Sequence, residues 1–342
     1  MRFRQRLVLE LGFGAQLIRQ VRRVKPDVVL ISNVPIPTLV IFVLGLSVMR
    51  MPWVLWQQDV QAVAIRSFAG KQLSRAWRVV AAAIEIAERW CCKRADQVVV
   101  IAESFVDIHR RWGTVDKVSV IPNWAPLDEI YPVERKNDWA VEHSLEDSKT
   151  LLYSGTLGLK HNPALLVSLA RRVIDAGQAV ELVVISEGPA VELLRKEAAR
   201  VDVPITLLPF QPYERLSEVL STGDILVVLL EQSAGAFSVP SKTLSYLCAG
   251  RPVLGLMPEE NLAAALVRSV DGCVHPPTES SLPAAADWAV EVLDDAERRA
   301  VLGAAARDLA EREFALDQCA GRFEELLRAA CEPNVAAPHT AM

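Results

Sequence analysis

SVPSKTLSYLCAGRPVLG, residues Ser238 to Gly255, reads as one apolar helix feeding one buried strand. The spacing predicts a helix that opens at Ser-Lys and closes on Ala249-Gly250, with PVLGL (Pro252 to Leu256) as a short β run behind it. A similar run, ILVVLL (Ile225 to Leu230), stands upstream across EQSAGAF, so the segment is a β-α-β unit, the element from which parallel sheets are made. The same alternation continues toward the N-terminus through ITLLP (Ile205 to Pro209), VELVVIS (Val180 to Ser186) and TLLYS (Thr150 to Ser154). Before these come KVSVI (Lys117 to Ile121), QVVVI (Gln97 to Ile101), WVLW (Trp53 to Trp56) and DVVLIS (Asp27 to Ser32), with helices at Ile36 to Met49, about Lys71 to Lys93 and about Glu103 to Trp112. Helical patterns return at Leu282 to Phe314 and Asp317 to Cys331.

The fold class expected is therefore α/β, with two doubly wound domains in tandem and the carboxyl ends of both sheets at a shared cleft, where ligands bind. The polar stretch from Pro132 to Lys149 reads as the linker region. That gives domains over 1–134 and 135–331, the last helix packing back on the first domain, and a disordered Pro- and Ala-rich tail over 332–342.

A chain of 342 residues, 51% hydrophobic and 23% charged, is globular and long enough for two cores. Its six cysteines show no C-x-x-C pairing and read as reduced core residues. The five histidines are scattered, so no metal site is expected. The net charge of −5 conceals an asymmetry: residues 1–95 carry 15 Lys and Arg against 5 Asp and Glu, leaving the remainder near −15. A basic half points to an anionic surface or ligand, or to a face that only keeps the protein soluble. No aromatic-basic motif accompanies the charge, which argues against nucleic acid. The N-terminus is an Arg-studded amphipathic helix without a cleavage pattern, and the cytoplasm is the expected compartment. The apolar run Ile36 to Met49 is shorter than the roughly 20 residues that span a bilayer. It reads as a buried helix or as one that inserts shallowly into a membrane surface.

Three stretches after second-half strands suit phosphate or nucleoside. In GTLGLKHNP, Gly155 and Gly158 permit close backbone approach, Lys160 offers a charge and Asn162 can cap the next helix; an ordinary βα turn explains them as well. Gly188 and Pro189 open a helix whose first amides are free, which is also plain helix initiation. Ser238, Pro240, Ser241 and Lys242 bring two hydroxyls, an ammonium and helix-start amides to one point, a combination that suits a diphosphate.

The ordered landmarks KPDVVLIS, WQQDV, VIPNWAPLDEIYP, LLYSGTLGLKHN, VISEGP and VPSKTLSYLCAGRPVLG, spread from about Pro26 to Phe323, resemble the retaining nucleotide-sugar glycosyltransferases of family 4, bacterial colanic-acid and exopolysaccharide type. The resemblance implies two facing Rossmann-like domains, the GT-B fold, with the donor on the second. Gly155, Thr156, Gly158 and Lys160 would line the diphosphate, Gly188 and Pro189 would lie beside the nucleoside, and Ser238 to Lys242 would clamp the phosphates. Asp59 in WQQDV becomes the candidate acceptor-binding residue or base, or a turn cap. Ser245 stands where the family has a ribose-binding glutamate, and Thr156 where many members have Arg, which leaves Lys160 and Lys242 to supply cations. The family's opening strand, Gly-rich loop and helix are not matched ahead of Arg2 to Lys25, so the first domain is expected to be N-terminally incomplete and turnover weak.

The activity implied is transfer of a sugar, with retention, from a nucleotide-diphosphate sugar to a polyprenyl-diphosphate-linked glycan, without metal or cofactor, at the inner face of the cell membrane and in peripheral contact with anionic lipid. Two other classes fit the same residues: a nucleotide-sugar-binding partner protein of little or no activity, and an epimerase, for which only His161 offers a cleft histidine.

Overall fold

The computed structural model describes residues 3–68, 75–158, 161–231 and 241–332. They form two compact α/β units, one of residues up to Asn123 together with those from Asp317 on, the other Trp124–Leu316.

In the first unit α1 (Phe3–Val24) precedes β1 (Val29–Ser32), α2 (Ile36–Met49), β2 (Trp53–Gln57), α3 (Gln61–Phe68), α4 (Arg75–Arg94), β3 (Gln97–Val100), α5 (Val106–Trp112) and β4 (Val118–Val120). The four strands are parallel and lie side by side in chain order. Helix α2 begins and ends where its apolar run does, and it buries Ile36, Thr38, Leu39, Phe42, Val43 and Leu46. Helices α1 and α2 meet at glycines: a Cβ on Gly14 would stand 2.9 Å from the Thr38 carbonyl oxygen, and one on Gly45 would strike Ile18.

The second unit continues with α6 (Asp138–Glu142), β5 (Lys149–Ser154), α7 (Ala164–Asp175), β6 (Val180–Ile185), α8 (Pro189–Arg200), β7 (Ile205–Leu208), α9 (Leu216–Thr222), β8 (Ile225–Leu229), α10 (Ser241–Cys248), β9 (Val253–Leu256), α11 (Leu262–Ser269), β10 (Cys273–His275), α12 (Leu282–Asp294) and α13 (Ala296–Phe314). Its six parallel strands take the order β7-β6-β5-β8-β9-β10, the doubly wound arrangement 3-2-1-4-5-6. Strand side chains alternate between faces, and here both faces are apolar. Leu151, Tyr153, Leu182, Val184, Val227 and Leu229 join one core with α7 and α12, while Leu152, Val183, Ile185, Leu226 and Val228 join the other with α9, α10 and α13.

The polar stretch from Pro132 to Lys149 is not a free linker. Asn137 caps α6 by accepting from the Ala140 amide at 3.0 Å, and Trp139 is wholly buried in the second core with its indole N–H donating to Gln211. The chain's last described helix, α14 (Leu316–Cys331), places Cys319 and Phe323 in the first unit's core with Val54, Val99 and Ile121. Phe323 meets Trp56 edge-on at 5.1 Å. One helical pattern, Leu282 to Phe314, is two helices: Asp295 leaves the helical region, and its carboxylate caps α13 through the Arg298 amide. Among the cysteines Cys331 is exposed, contrary to a core reading for all six.

Candidate functional site

In a doubly wound sheet the ligand crevice opens outside the strand carboxyl ends where the winding reverses. Here the reversal is at β5, which pairs with β6 on one side and β8 on the other. A pocket of about 440 Å³ lies there, lined by Ser154 ending β5, Gly155 and Thr156 after it, Ile185 ending β6, Phe210 and Gln211 after β7, and Ser241, Lys242 and Ser245 of α10. Five of the sequence-derived residues, Gly155, Thr156, Ser241, Lys242 and Ser245, thus share one cavity. Lys160, Ser238 and Pro240 lie outside the described residues.

Gly155 has φ +136°, open to glycine and strained for other residues, and its Cβ position is 3.1 Å from Lys242 Nζ. The ammonium donates to the Tyr153 hydroxyl and sits 4.0 Å from the centre of that ring. No carboxylate pairs with it among the described residues, and burial pulls the amine down to about 8. A cation held against an aromatic face and lacking an acidic partner is a ready anion ligand. Tyr246, also on α10, reaches back to Ser154: its hydroxyl accepts from the Ser154 amide at 2.8 Å and donates to the Ser154 carbonyl at 3.1 Å, fixing the end of β5 against the helix.

Gly188 (φ +99°) is the N-cap residue of α8 and Pro189 its first residue; both are exposed, and neither lines the pocket. Gly158 donates its amide to His161 Nδ1 at 3.0 Å, and its carbonyl accepts from the His161 amide at 3.0 Å. Asn162 does not cap α7 with its side chain; it takes a left-handed conformation at φ +51°, and Pro163 is the N-cap. Sequence reasoning missed Tyr153, Tyr246, Phe210 and Gln211. The aromatic ending a buried strand and the Pro-Phe-Gln following another were the available signals.

In the first unit Asp59 follows β2 and is exposed. It accepts from Asn33 Nδ2 at 3.0 Å, and Asn33 Oδ1 accepts from the Gln58 amide at 3.2 Å. Beneath it runs a buried chain of polar groups. Glu88 of α4, 2% exposed, accepts from Gln57 Nε2 at 2.9 Å and from the Gln61 and Ala62 amides at 3.0 Å each. Gln57 Oε1 lies 2.8 Å from His109 Nε2, and His109 Nδ1 lies 2.9 Å from Thr114 Oγ1. Because the Gln57 amide nitrogen donates to Glu88, its oxygen must accept, which puts the imidazole proton on Nε2 and leaves Nδ1 to accept from Thr114. Burial pulls His109 down to about 4, so it is neutral. Burial also pushes the Glu88 carboxyl above the usual glutamate value, and the N–H groups of Ala62, Gln61 and Gln57 oppose that rise.

Among the described residues no group of His, Cys, Asp or Glu is placed to hold a metal ion, and no helix is long and apolar enough to cross a membrane.

The model of Glycosyltransferase Family 4 matches residues 1–129. WcaI of Escherichia coli, named as a colanic acid biosynthesis glycosyl transferase, is 25% identical over 168 residues, 48% of this chain and 41% of that protein, so the match spans less than half of either chain. Among solved structures, Anabaena HepE with UDP and glucose superposes with a TM-score of 0.69 at 14% identity, covering 92% of this chain and 81% of that one. Sucrose-phosphate synthase of Thermosynechococcus elongatus gives 0.67 at 16% identity, covering 96% and 80%. These neighbours share the GT-B fold. Residues 1–129 are thus similar to Glycosyltransferase Family 4, and the fold of the chain is that of these GT-B neighbours.

Proposed function

We propose that this chain transfers a sugar from a nucleotide-diphosphate sugar to a growing, lipid-linked polysaccharide with retention of anomeric configuration. The observation that carries the reading is the carboxylate-free Lys242 ammonium beside Gly155, in a pocket at the reversal point of the second sheet. When the sugar–phosphate bond breaks, its electron pair passes to the departing diphosphate. Lys242, the Ser241 hydroxyl and the first amides of α10 stabilise the charge that grows there. Asp59 on the first unit orients the acceptor hydroxyl and takes up its proton as the new glycosidic bond forms.

HepE is crystallised with UDP and with UDP-glucose, which makes UDP the first probe. Thermal unfolding with UDP, GDP and their sugar conjugates is expected to show one family of nucleotides raising Tm in proportion to the logarithm of its saturation. Product NMR with the selected donor then reads the anomeric configuration. A chain whose Tm moves with none of them is no sugar-nucleotide enzyme.

A lipid-linked acceptor is supported by the basic first half and by an outward apolar surface. Val8, Leu9 and Phe13 of α1 and Trp77, Val79 and Ile86 of α4 are exposed, on helices that also carry Arg19, Arg22, Arg23, Arg78 and Arg89. The protein is expected to sediment with vesicles containing phosphatidylglycerol, to lose that binding as salt rises, and to ignore neutral vesicles. Equal sedimentation with neutral lipid would remove the electrostatic part of this reading.

A further inference from the structure

We infer that Asn33 and Glu88 are positioning residues for the acceptor-side carboxylate of Asp59; the inference rests on the transfer reading above. The bend from Gln57 to Ala62 is held from two directions. Glu88 grips it on either side of Asp59, through the Gln57 side chain before it and the Gln61 and Ala62 amides after it. Asn33, at the carboxyl end of β1, ties the Gln58 amide and the Asp59 carboxylate together, and the Gln61 side chain donates to the Val34 carbonyl at 2.8 Å.

Capping α3 alone would not require this arrangement. A Ser, Thr, Asn or Asp just before a helix satisfies its first amides locally at little desolvation cost. Instead the chain buries a carboxylate on another helix, a choice that is unfavourable unless its hydrogen bonds are complete. They are complete only because the same carboxylate also takes the Gln57 amide, which His109 fixes at its other end. Everything in the network is buried or spent on the bend except its product, one exposed carboxylate at the carboxyl edge of the first sheet. Rigid support beneath a single outward group is the mark of a preorganised reacting site.

The test is a pair of double-mutant cycles. Asn33→Ala and Glu88→Gln are made singly and in the Asp59→Asn background. UDP or GDP release is then followed with UDP-glucose, UDP-galactose, UDP-N-acetylglucosamine and GDP-mannose as probes, water serving as acceptor. Asp59→Asn is expected to lower kcat about a hundredfold, and each single variant on the order of tenfold to a hundredfold, with KM for the donor within about twofold of the parent. In the Asp59→Asn background neither substitution should lower kcat further, because both act through that carboxylate. Full kcat in Asn33→Ala, or an equal additional loss in the Asp59→Asn background, would overturn the inference. Asn33 is exposed, so its variant carries the test if Glu88→Gln does not fold. A parent that neither gains Tm with any nucleotide nor releases one overturns the transfer reading itself, an outcome seen in the parent alone.

Discussion

Lys242→Met is expected to lower sugar transfer about a hundredfold, equivalent to roughly 3 kcal/mol of lost transition-state stabilisation, while leaving the fold intact. Methionine keeps an unbranched stem against the Tyr153 ring and removes the ammonium, with its charge and its hydrogen bond to the Tyr153 hydroxyl. The loss should fall mainly on kcat. In the proposed transfer, charge accumulates on the diphosphate as the sugar leaves, and the ammonium would interact with that state more strongly than with the intact donor. A steady-state comparison with the selected donor reads the split. Unchanged kcat in the variant would show that the phosphates lie elsewhere.

The same residue predicts a pH dependence. Lys242 sits near 8, lowered by burial, so above that pH the ligand-free protein holds a neutral amine. A bound diphosphate favours the ammonium and raises the value. Binding therefore draws a proton from solution just above pH 8, and affinity falls as pH climbs further, by at most tenfold per unit for one proton. Titration calorimetry of UDP at pH 8.5, in buffers of different ionisation heat, should register this uptake in the parent and not in Lys242→Met. Below pH 8 both states are already protonated and the linkage fades.

What the sequence disclosed follows from what it can encode locally. The second unit's strands were legible because both faces of that sheet are covered, so TLLYS or ILVVLL is a continuous apolar run needing no partner to be recognised. Lys242 was legible because hydroxyl, ammonium and helix start are neighbours in sequence. Tyr246 was not. Its role is a contact with Ser154 across 92 residues, and by composition it is one more apolar residue of a buried helix. Glu88 was hidden for the same reason, since nothing in AERWCC distinguishes a buried carboxylate from a solvated one. The stretch around Trp139 misled by its average: one indole among many polar groups anchors α6 in the core, and windowed composition does not record it. The break at Asp295 could have been read, because LDDAE carries an N-cap residue inside an apparent single helix.

Asp224→Asn is expected to destabilise the second unit by about 3 kcal/mol, and a change of that size lowers Tm on the order of 10 °C in a domain of this length. Asp224 lies just before β8, at the amino edge of the sheet, away from the strand ends that line the pocket. Its Oδ2 accepts from the Thr150 amide at 2.9 Å and from Arg135 Nε at 3.2 Å, and its Oδ1 lies 3.7 Å from Arg299 Nε. A third guanidinium, Arg251, lies half-buried beside them. Burial depresses it, the Asp224 charge restores it, and Arg135 and Arg299 depress it further. Three guanidiniums therefore share one carboxylate that is only 8% exposed, with the exposed Asp147 and Asp294 acting on Arg135 and Arg299 from the surface. The guanidiniums cannot escape by losing protons, because arginine stays charged in proteins. Their remaining hydrogen bonds go to backbone carbonyls of Val133, Leu145, Glu146, Ser148, Val292 and Leu293, which fixes them in place without supplying charge. Asparagine preserves the shape and deletes the charge, so the loss isolates electrostatics from packing. Because the pocket sits at the opposite edge of the sheet, the folded variant should gain the same Tm increment from UDP as the parent. A Tm within about 2 °C of the parent, less than 1 kcal/mol on this scale, would mean that solvent or the carbonyl shell already neutralises the cluster.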